Sequence, residues 1–378
     1  MADLMKKSIV FIWDNFGPIH VDRAKAVALK FAKSREVVGV ELNKKSDTYD
    51  WNPEADDSFK KITISDSSSN IKSNGFNFSD LLRLQRVLFR NIGSDYFFCH
   101  YERPTVFWSA LILRLLGQKV YVMNDSKFDD YERQLWREVA KAIFYTPYSG
   151  GLASGVRARD YMRFLGVPKN RIMTNYNSMS LERIRRLANA PLAPNGIPHQ
   201  DRHFTVVARL VEKKNLFKVL DAYAEYTKLA CNPRRLKIAG SGPLEAQLRA
   251  YALKGGTTGT VDFLGFIQTS DVSKLLASTL TLLLMSTEEQ FGNVVIEAVA
   301  MGVPCIVSTA CGARDELVKT GVNGFIVEPD NARGAAFFMK LLSSDRTLWE
   351  TMSTESVNIS VRGDVSVFVE AISKLVES

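Results

Sequence analysis

Ser286–Val307 reads STEEQFGNVVIEAVAMGVPCIV, and the rest of the chain is best understood outward from it. A polar, acidic loop runs into Phe291-Gly292-Asn293. An apolar helical segment follows, and Gly302-Val303-Pro304 leads into a β-branched strand. Glu289 and Glu297 bracket the turn into the helix, with seven residues between them. With the helix starting near Asn293, Glu289 lies before its N-terminus and Glu297 about one turn inside. Backbone N–H groups at a helix start are unpaired and partly positive, so they can hold an anion or a hydroxyl.

The same alternation recurs on both sides. Downstream come strands at Pro304–Val307 and Gly324–Val327 and helices at about 332–342, 347–357 and 365–376. Upstream, Phe204–Ala208, Leu236–Ala239, Val261–Leu264 and Leu280–Met285 read as buried strands, with helices between them. The first half has its own series. Strands are expected at Ser8–Trp13, Val37–Leu42, Asp95–Cys99, Lys119–Met123, Ile143–Thr146 and Arg171–Thr174. Helices are expected over 21–33, 78–89, 105–116 and 130–142, with Ser149-Gly150-Gly151 opening another. Residues 43–80 are polar and read as loop-rich, with one strand-like piece at Lys61–Ile64. Strands separated by helices need crossover connections, hence parallel sheets. Asn189–His203 holds three prolines and little periodicity, so it reads as a linker. The expectation is an α/β chain of two doubly wound, Rossmann-like domains, residues 1–190 and 204–360, joined by 191–203. Residues 361–378 hold the last helix. Ligands of such sheets bind beyond the carboxyl ends of the strands, which places the site in a cleft between the two.

A chain of 378 residues is too long for one ordinary core. Residues 1–190 hold 30 Lys and Arg against 21 Asp and Glu, whereas the remainder holds 19 against 20. The basic excess of the first half suits an anionic membrane surface or a phosphate-bearing acceptor as well as it suits a solvated face. Cys99, Cys231, Cys305 and Cys311 form no CxxC pair and read as reduced thiols of a cytoplasmic protein. The opening MADLMKKSIVFIW has too short an apolar run for a signal peptide or a membrane span. No His/Cys cluster has zinc spacing, and no D-x-D triplet closes a strand, so no metal is expected. Asp56-Asp57 and Asp129-Asp130 read as turn or helix-start acids.

Further motifs stand in order in the second half, each at a strand end. Arg209 and Lys214, in ARLVEKKN, put two cations beside a helix start and make a phosphate clamp. Gly240-Ser241-Gly242-Pro243 closes the strand LKIA and permits close backbone approach to a ligand. With EQFGNVVIE and Gly302-Val303-Pro304, these residues resemble the family GT4 retaining glycosyltransferases of GT-B fold over most of residues 203–345. The E-x7-E motif of that family stands here as Glu289 and Glu297.

The resemblance implies transfer of a sugar from a nucleotide diphosphate, with retained configuration and without a metal, and a last helix, within 361–378, that packs back on the first domain. By similarity, Arg209 and Lys214 bind the diphosphate. Glu289 and the amides of Phe291, Gly292 and Asn293 hold the donor sugar, and Glu297 takes the ribose hydroxyls. Gly240 approaches the nucleotide, and Phe266 and Ile267 flank its base. The first domain would bind a saccharide or lipid-linked acceptor, helped by its basic excess and the aromatic segment Phe97–Leu116, with the protein peripheral on the inner membrane face. Families of this kind carry a Gly-rich loop after the first strand; here NFGPIH offers only Gly17. They often place a His after the strand that reads YVM, where this chain has Asn124-Asp125. Asp125 takes that role, or His100 does from the neighbouring strand end, or neither does; His20 is an equally open candidate. Two rival readings are a nucleotide-sugar epimerase and a non-catalytic basic binding protein. The even charge of the second half and the lack of a basic, aromatic-interleaved motif weigh against a nucleic-acid partner.

Overall fold

The structure, a computed structural model, describes residues 7–45, 56–68, 78–257 and 259–377. The chain forms two compact units, one of residues up to 128 with 132–179 and 365–378, the other of 129–131 and 180–364. Among the described residues no helix is long and apolar enough to cross a membrane.

The first unit begins with β1 (Ile9–Trp13), α1 (Pro18–Phe31), β2 (Val37–Lys45), β3 (Lys60–Ser68) and α2 (Phe78–Phe89). It continues through β4 (Asp95–Phe98), α3 (Pro104–Leu115), β5 (Lys119–Asn124), α4 (Leu135–Tyr145), β6 (Gly150–Ala153), α5 (Val156–Phe164) and β7 (Ile172–Met173). The strands form one parallel sheet in the order β3-β2-β1-β4-β5-β6-β7. Every residue of β1 and β4 is buried. Helices cover both faces of such a sheet, which is why these strands read as unbroken apolar runs and not as alternation.

The second unit holds α6 (Leu181–Ala188), β8 (His203–Val207), α7 (Leu216–Leu229), β9 (Leu236–Ala239), α8 (Glu245–Lys254), β10 (Val261–Gly265), α9 (Thr269–Ala277) and β11 (Thr279–Leu284). After these come α10 (Val294–Ala300), β12 (Cys305–Ser308), α11 (Arg314–Leu317), β13 (Gly324–Val327), α12 (Ala332–Ser344) and α13 (Arg346–Ser360). Its parallel sheet runs β10-β9-β8-β11-β12-β13. The closing helix α14 (Val365–Val376) lies in the first unit, where Phe368, Ile372 and Leu375 enter the core beside Phe11 and Phe97.

Several local expectations are corrected. Ile143–Tyr145 is the last turn of α4, not a strand: Tyr145 turns into the core against Tyr101, with ring centroids 4.5 Å apart. Gly150-Gly151 opens β6, not a helix. A Cβ on Gly150 would stand 2.6 Å from the Arg171 carbonyl oxygen, and one on Gly151 would stand 2.5 Å from Met162 Sδ. These glycines serve close strand packing. The helix expected over 130–142 starts five residues later, because Gln134 is extended and Arg133 is tied to the carbonyls of Lys127 and Phe128. The loop-rich reading of 43–80 gives way to β3 over Lys60–Ser68, while 46–55 and 69–77 lie outside the described residues. The proline-bearing segment 191–203 is packed onto the second unit: Ala193 N–H bonds the Met301 carbonyl at 3.0 Å, and buried Arg202 donates to four backbone carbonyls.

Candidate functional site

In the second sheet the strand order reverses between β8 and β11, the place where open α/β sheets bind ligands. Arg209 and Lys214 follow β8, and Ser286–Asn293 follows β11. Lys214 Nζ pairs with Glu289 Oε2 across that switch point, and Ser286 Oγ donates to the same oxygen at 3.1 Å. Both side chains of the pair are about seven-eighths covered, at 15% and 12% exposure, so the pair sits at a rim reachable by solutes. Asn215, in the left-handed region at φ 55°, anchors the turn that carries Lys214 by donating to the carbonyls of Met285 (3.0 Å) and Pro329 (2.7 Å). Arg209 is exposed.

The loops here touch backbone to backbone. A Cβ on Gly240 would lie 1.9 Å from the Ala208 carbonyl oxygen, at a φ of +139° that side chains rarely adopt. Gly292 has φ +99°, and a Cβ there would meet Leu284, Cys311 and Glu289 at 2.9–3.4 Å. The loop after β12 closes from the other side: Gly312 N–H bonds the Glu289 carbonyl at 3.2 Å, and Ala313 N–H bonds that of Phe291 at 2.7 Å. Burial, and then the charge of Glu289, push the Cys311 thiol up to about 12, so it stays protonated. Asn293 stands at the start of α10 without capping it by its side chain, and its buried Oδ1 accepts no hydrogen bond from the described residues. Glu297 lies in the first turn of α10. Phe266 and Ile267 follow β10 at the end of the same row of strands, with Phe266 exposed.

The first unit presents a side-chain network at the equivalent edge. Gly17 N–H donates to His20 Nδ1 at 3.2 Å, so the neutral ring carries its proton on Nε2. Burial, Arg23 and His100 all hold the imidazole well below its ordinary value. His100 follows β4 in a left-handed conformation, φ 56°, with Nδ1 3.6 Å from Glu102 Oε1. Asp125 follows β5, half-buried, and its charge bears on Arg23, Cys99 and Tyr176. Gly17, His20, His100 and Asp125 therefore share one sheet edge. Sequence reasoning missed the groups that bind that edge together. Asp14 accepts from Arg103 and Asn43, each at 2.7 Å, tying the ends of β1, β2 and β4. Buried Arg23 donates to Ser178 and Asn177 and stacks 4.6 Å over Tyr176. Partners up to 155 residues apart leave no local signal. In the segment Phe97–Leu116, Phe97 and Phe98 are fully buried in β4, whereas Trp108, Leu115 and Leu116 are exposed on and just after α3.

Residues 192–356 match the family of glycosyl transferases group 1. Over the full length, the chain superposes on sucrose-phosphate synthase from Thermosynechococcus elongatus with a TM-score of 0.72 at 15% identity, covering 98% of each chain. HepE from Anabaena, in complex with UDP and glucose, gives 0.71 at 15% identity, covering 98% of this chain and 99% of that one. The chain has the fold of these two proteins, GT-B. Curated relatives include an uncharacterized glycosyltransferase of Methanocaldococcus jannaschii, 28% identical over 43% of this chain and 46% of that protein. The N-acetyl-alpha-D-glucosaminyl L-malate synthase of Bacillus anthracis is 28% identical over 49% and 48%. The lipopolysaccharide core biosynthesis glycosyltransferase LpsE of Rhizobium meliloti is 24% identical over 65% and 68%. The chain thus spans about half the length of the first two.

Proposed function

We propose that the chain is a retaining, GT4-type hexosyltransferase that moves a sugar from a nucleoside-diphosphate donor to a hydroxyl of a saccharide or lipid-linked saccharide, in the building of a polysaccharide or glycolipid. The observation that carries this reading is the Lys214–Glu289 pair at the β8/β11 switch point, beside a glycine-bearing loop whose Asn293 Oδ1 still lacks a donor. Lys214 and Arg209 take the diphosphate. Glu289 and the Phe291–Asn293 amides take sugar hydroxyls, Glu297 the ribose, and Phe266 and Ile267 the base, with Gly240 against the nucleotide. The matches to polysaccharide and lipopolysaccharide enzymes support the product class, and the UDP in HepE makes UDP-sugars the first donors to try.

In the reaction the C1–phosphate oxygen bond breaks and a C1–acceptor oxygen bond forms on the same face. The acceptor proton passes to a phosphate oxygen or to a base of the first unit. His20, neutral with its proton on Nε2, His100 and Asp125 are the groups at that unit's sheet edge for the acceptor side. The two cations neutralise the leaving diphosphate, so transfer needs no metal ion. The test is release of nucleoside diphosphate from a panel of donors, with and without saccharide and lipid-linked acceptors, in the presence of a chelator. Acceptor-dependent release that survives chelation is expected. No release from a folded protein would overturn the reading, and acceptor-independent conversion of one donor into its epimer would replace it.

A further inference from the structure

His20 is held by contacts that leave it one way to act. Gly17 stands at the cap position of α1, Pro18 is the first residue of that helix and His20 the third. A side chain at the third position can reach back to the backbone N–H of the cap residue. His20 does so through Nδ1, which accepts from Gly17 N–H at 3.2 Å. The half-buried ring is walled by Trp13 and Phe16, at 4.9 and 6.1 Å between centroids. Neither wall is loose: Trp13 Nε1–H donates to the Tyr176 hydroxyl at 3.1 Å, and Phe16 N–H donates to Glu41 Oε2 at 3.2 Å.

An imidazole whose Nδ1 lone pair is occupied has only Nε2 left to offer. Nε2 has no hydrogen-bond partner among the described residues and is not sealed from solvent. Burial opposes a second proton on the ring. The charged groups in reach, Arg23 on the same helix and His100 after β4, add to that opposition. A proton on Nδ1 would also break the Gly17 bond. The ring is therefore neutral near pH 7, with Nε2–H as a donor of fixed direction. A general base needs a lone pair aimed at the proton it removes, and here that lone pair is spent on the backbone.

We infer that His20 is a fixed hydrogen-bond donor that holds an oxygen of the acceptor, and is not the base that takes the acceptor's proton. The oxygen it holds neighbours the attacking hydroxyl, because donating to the attacking oxygen would draw off the electron pair the new bond needs. This rests on the transferase reading, and it leaves proton removal to a phosphate oxygen, His100 or Asp125. Three variants separate the roles. His20→Gln can accept from Gly17 through Oε1 and donate through its amide, so it reproduces both bonds without titrating. His20→Glu can accept from Gly17 but offers no donor, and His20→Ala does neither. Nucleoside diphosphate release from UDP-glucose and UDP-galactose is followed with octyl glucoside, octyl galactoside and octyl N-acetylglucosaminide as acceptors. His20→Gln should keep kcat/KM for the acceptor within about threefold of wild type, with a matching profile over about pH 6 to 8. His20→Ala and His20→Glu should raise the acceptor KM by at least about three- to tenfold, the worth of one neutral hydrogen bond, with kcat little changed. His20→Glu should also melt like wild type, since it keeps the bond to Gly17. A base would behave otherwise: Gln would lose kcat as Ala does, by about a hundredfold or more, and a limb of the pH profile would vanish. That outcome overturns the inference, and so would wild-type kinetics in His20→Glu, which would reduce the side chain to a cap. Nitrogen NMR of the free chain, with the His20 signals identified by their loss in His20→Gln, should show Nε2 protonated and Nδ1 bare at neutral pH. The opposite tautomer, or a charged ring, would overturn the inference without any substrate. No release from wild type with any of these acceptors, in a chain showing the expected tautomer, would count against the transferase reading and remove the acceptor role with it.

Discussion

Replacing Glu289 by Gln separates the two roles assigned to that side chain. Gln keeps the volume and can still accept from Ser286, now 3.1 Å away, but it removes the charge that faces Lys214. In the resting chain the Lys214 ammonium is shared with that carboxylate. A diphosphate arriving at Lys214 therefore meets a negative group within about 6 Å, and at an effective dielectric near 20 that repulsion is about 3 kcal/mol. The rim position and salt reduce it to about 1 kcal/mol. A nucleoside diphosphate alone should then bind Glu289→Gln somewhat more tightly, by roughly threefold to tenfold. The sugar nucleotide should lose the charge-assisted hydrogen bond to its hydroxyl, worth about 1.5–3 kcal/mol. The ratio of the two affinities should shift against the sugar by about ten- to a hundredfold. The cost in stability should be near 1 kcal/mol, below the 3–5 kcal/mol of a fully buried pair, because Lys214 can turn to water. Titration calorimetry with both ligands and urea unfolding read these three quantities. If both ligands weaken by the same factor, Glu289 only positions Lys214 and the sugar contact is refuted.

Three further outcomes follow from the structure. Gly240→Ala forces a Cβ against the Ala208 oxygen at an unfavourable φ, so urea unfolding of the second unit should show a loss of about 2–5 kcal/mol; a loss under 1 would mean the turn yields freely. Burial holds the His203 imidazole down to about 4, against an unfolded value near 6.5, so the unfolded chain takes up the proton first as pH falls. Stability should be full above pH 6.5, lower by about 2 kcal/mol at pH 5 and by about 3 kcal/mol near pH 4, with His199 and His20 adding in the same direction; an unfolding midpoint flat from pH 7 to 5 would contradict this. Cys231 is exposed whereas Cys99, Cys305 and Cys311 are buried, so a native thiol titration should modify one group and a denatured one four. Native labelling of Cys311 would show that the loop beside Gly292 opens.

The two sheets were legible because each strand is an apolar run closed by a glycine or polar turn, and their helices keep a strong period. Reading failed where the local pattern served a distant partner. Gly150-Gly151 looks like a helix opening, yet the glycines are there for Arg171 and Met162. Ile143-Phe144-Tyr145 looks like a strand by composition, yet Tyr145 is spoken for by Tyr101. In the candidate site the sequence places Lys214 and Glu289 separately, and only the fold of β8 beside β11 joins them across 75 positions. The inward face of α4 was only half legible, since it joins the apolar Tyr145 to the paired, buried Glu138, whose partner Arg133 lies outside the helix.

The two sheet edges also differ in how they are built, and that difference bears on what each can recognise. The second unit sets its loops by backbone contact. Gly240, Gly242 and Gly312 each lie so close to a neighbouring carbonyl oxygen that a Cβ would stand 1.9–2.5 Å from it. Such loops have little room to vary, and they suit a ligand part with fixed shape and charge, as a diphosphate has. The first unit instead sets its edge by side chains: Asp14, Arg103, Asn43, Arg23, Asn177 and Tyr176. A side-chain network can be re-specified one residue at a time without moving the strands that carry it. On the proposed reading, the donor side is therefore written in glycine positions that a sequence displays openly. The edge of the first unit is written in long-range pairs that appear only once the chain is folded, which is why the second half of this chain is the more readable one.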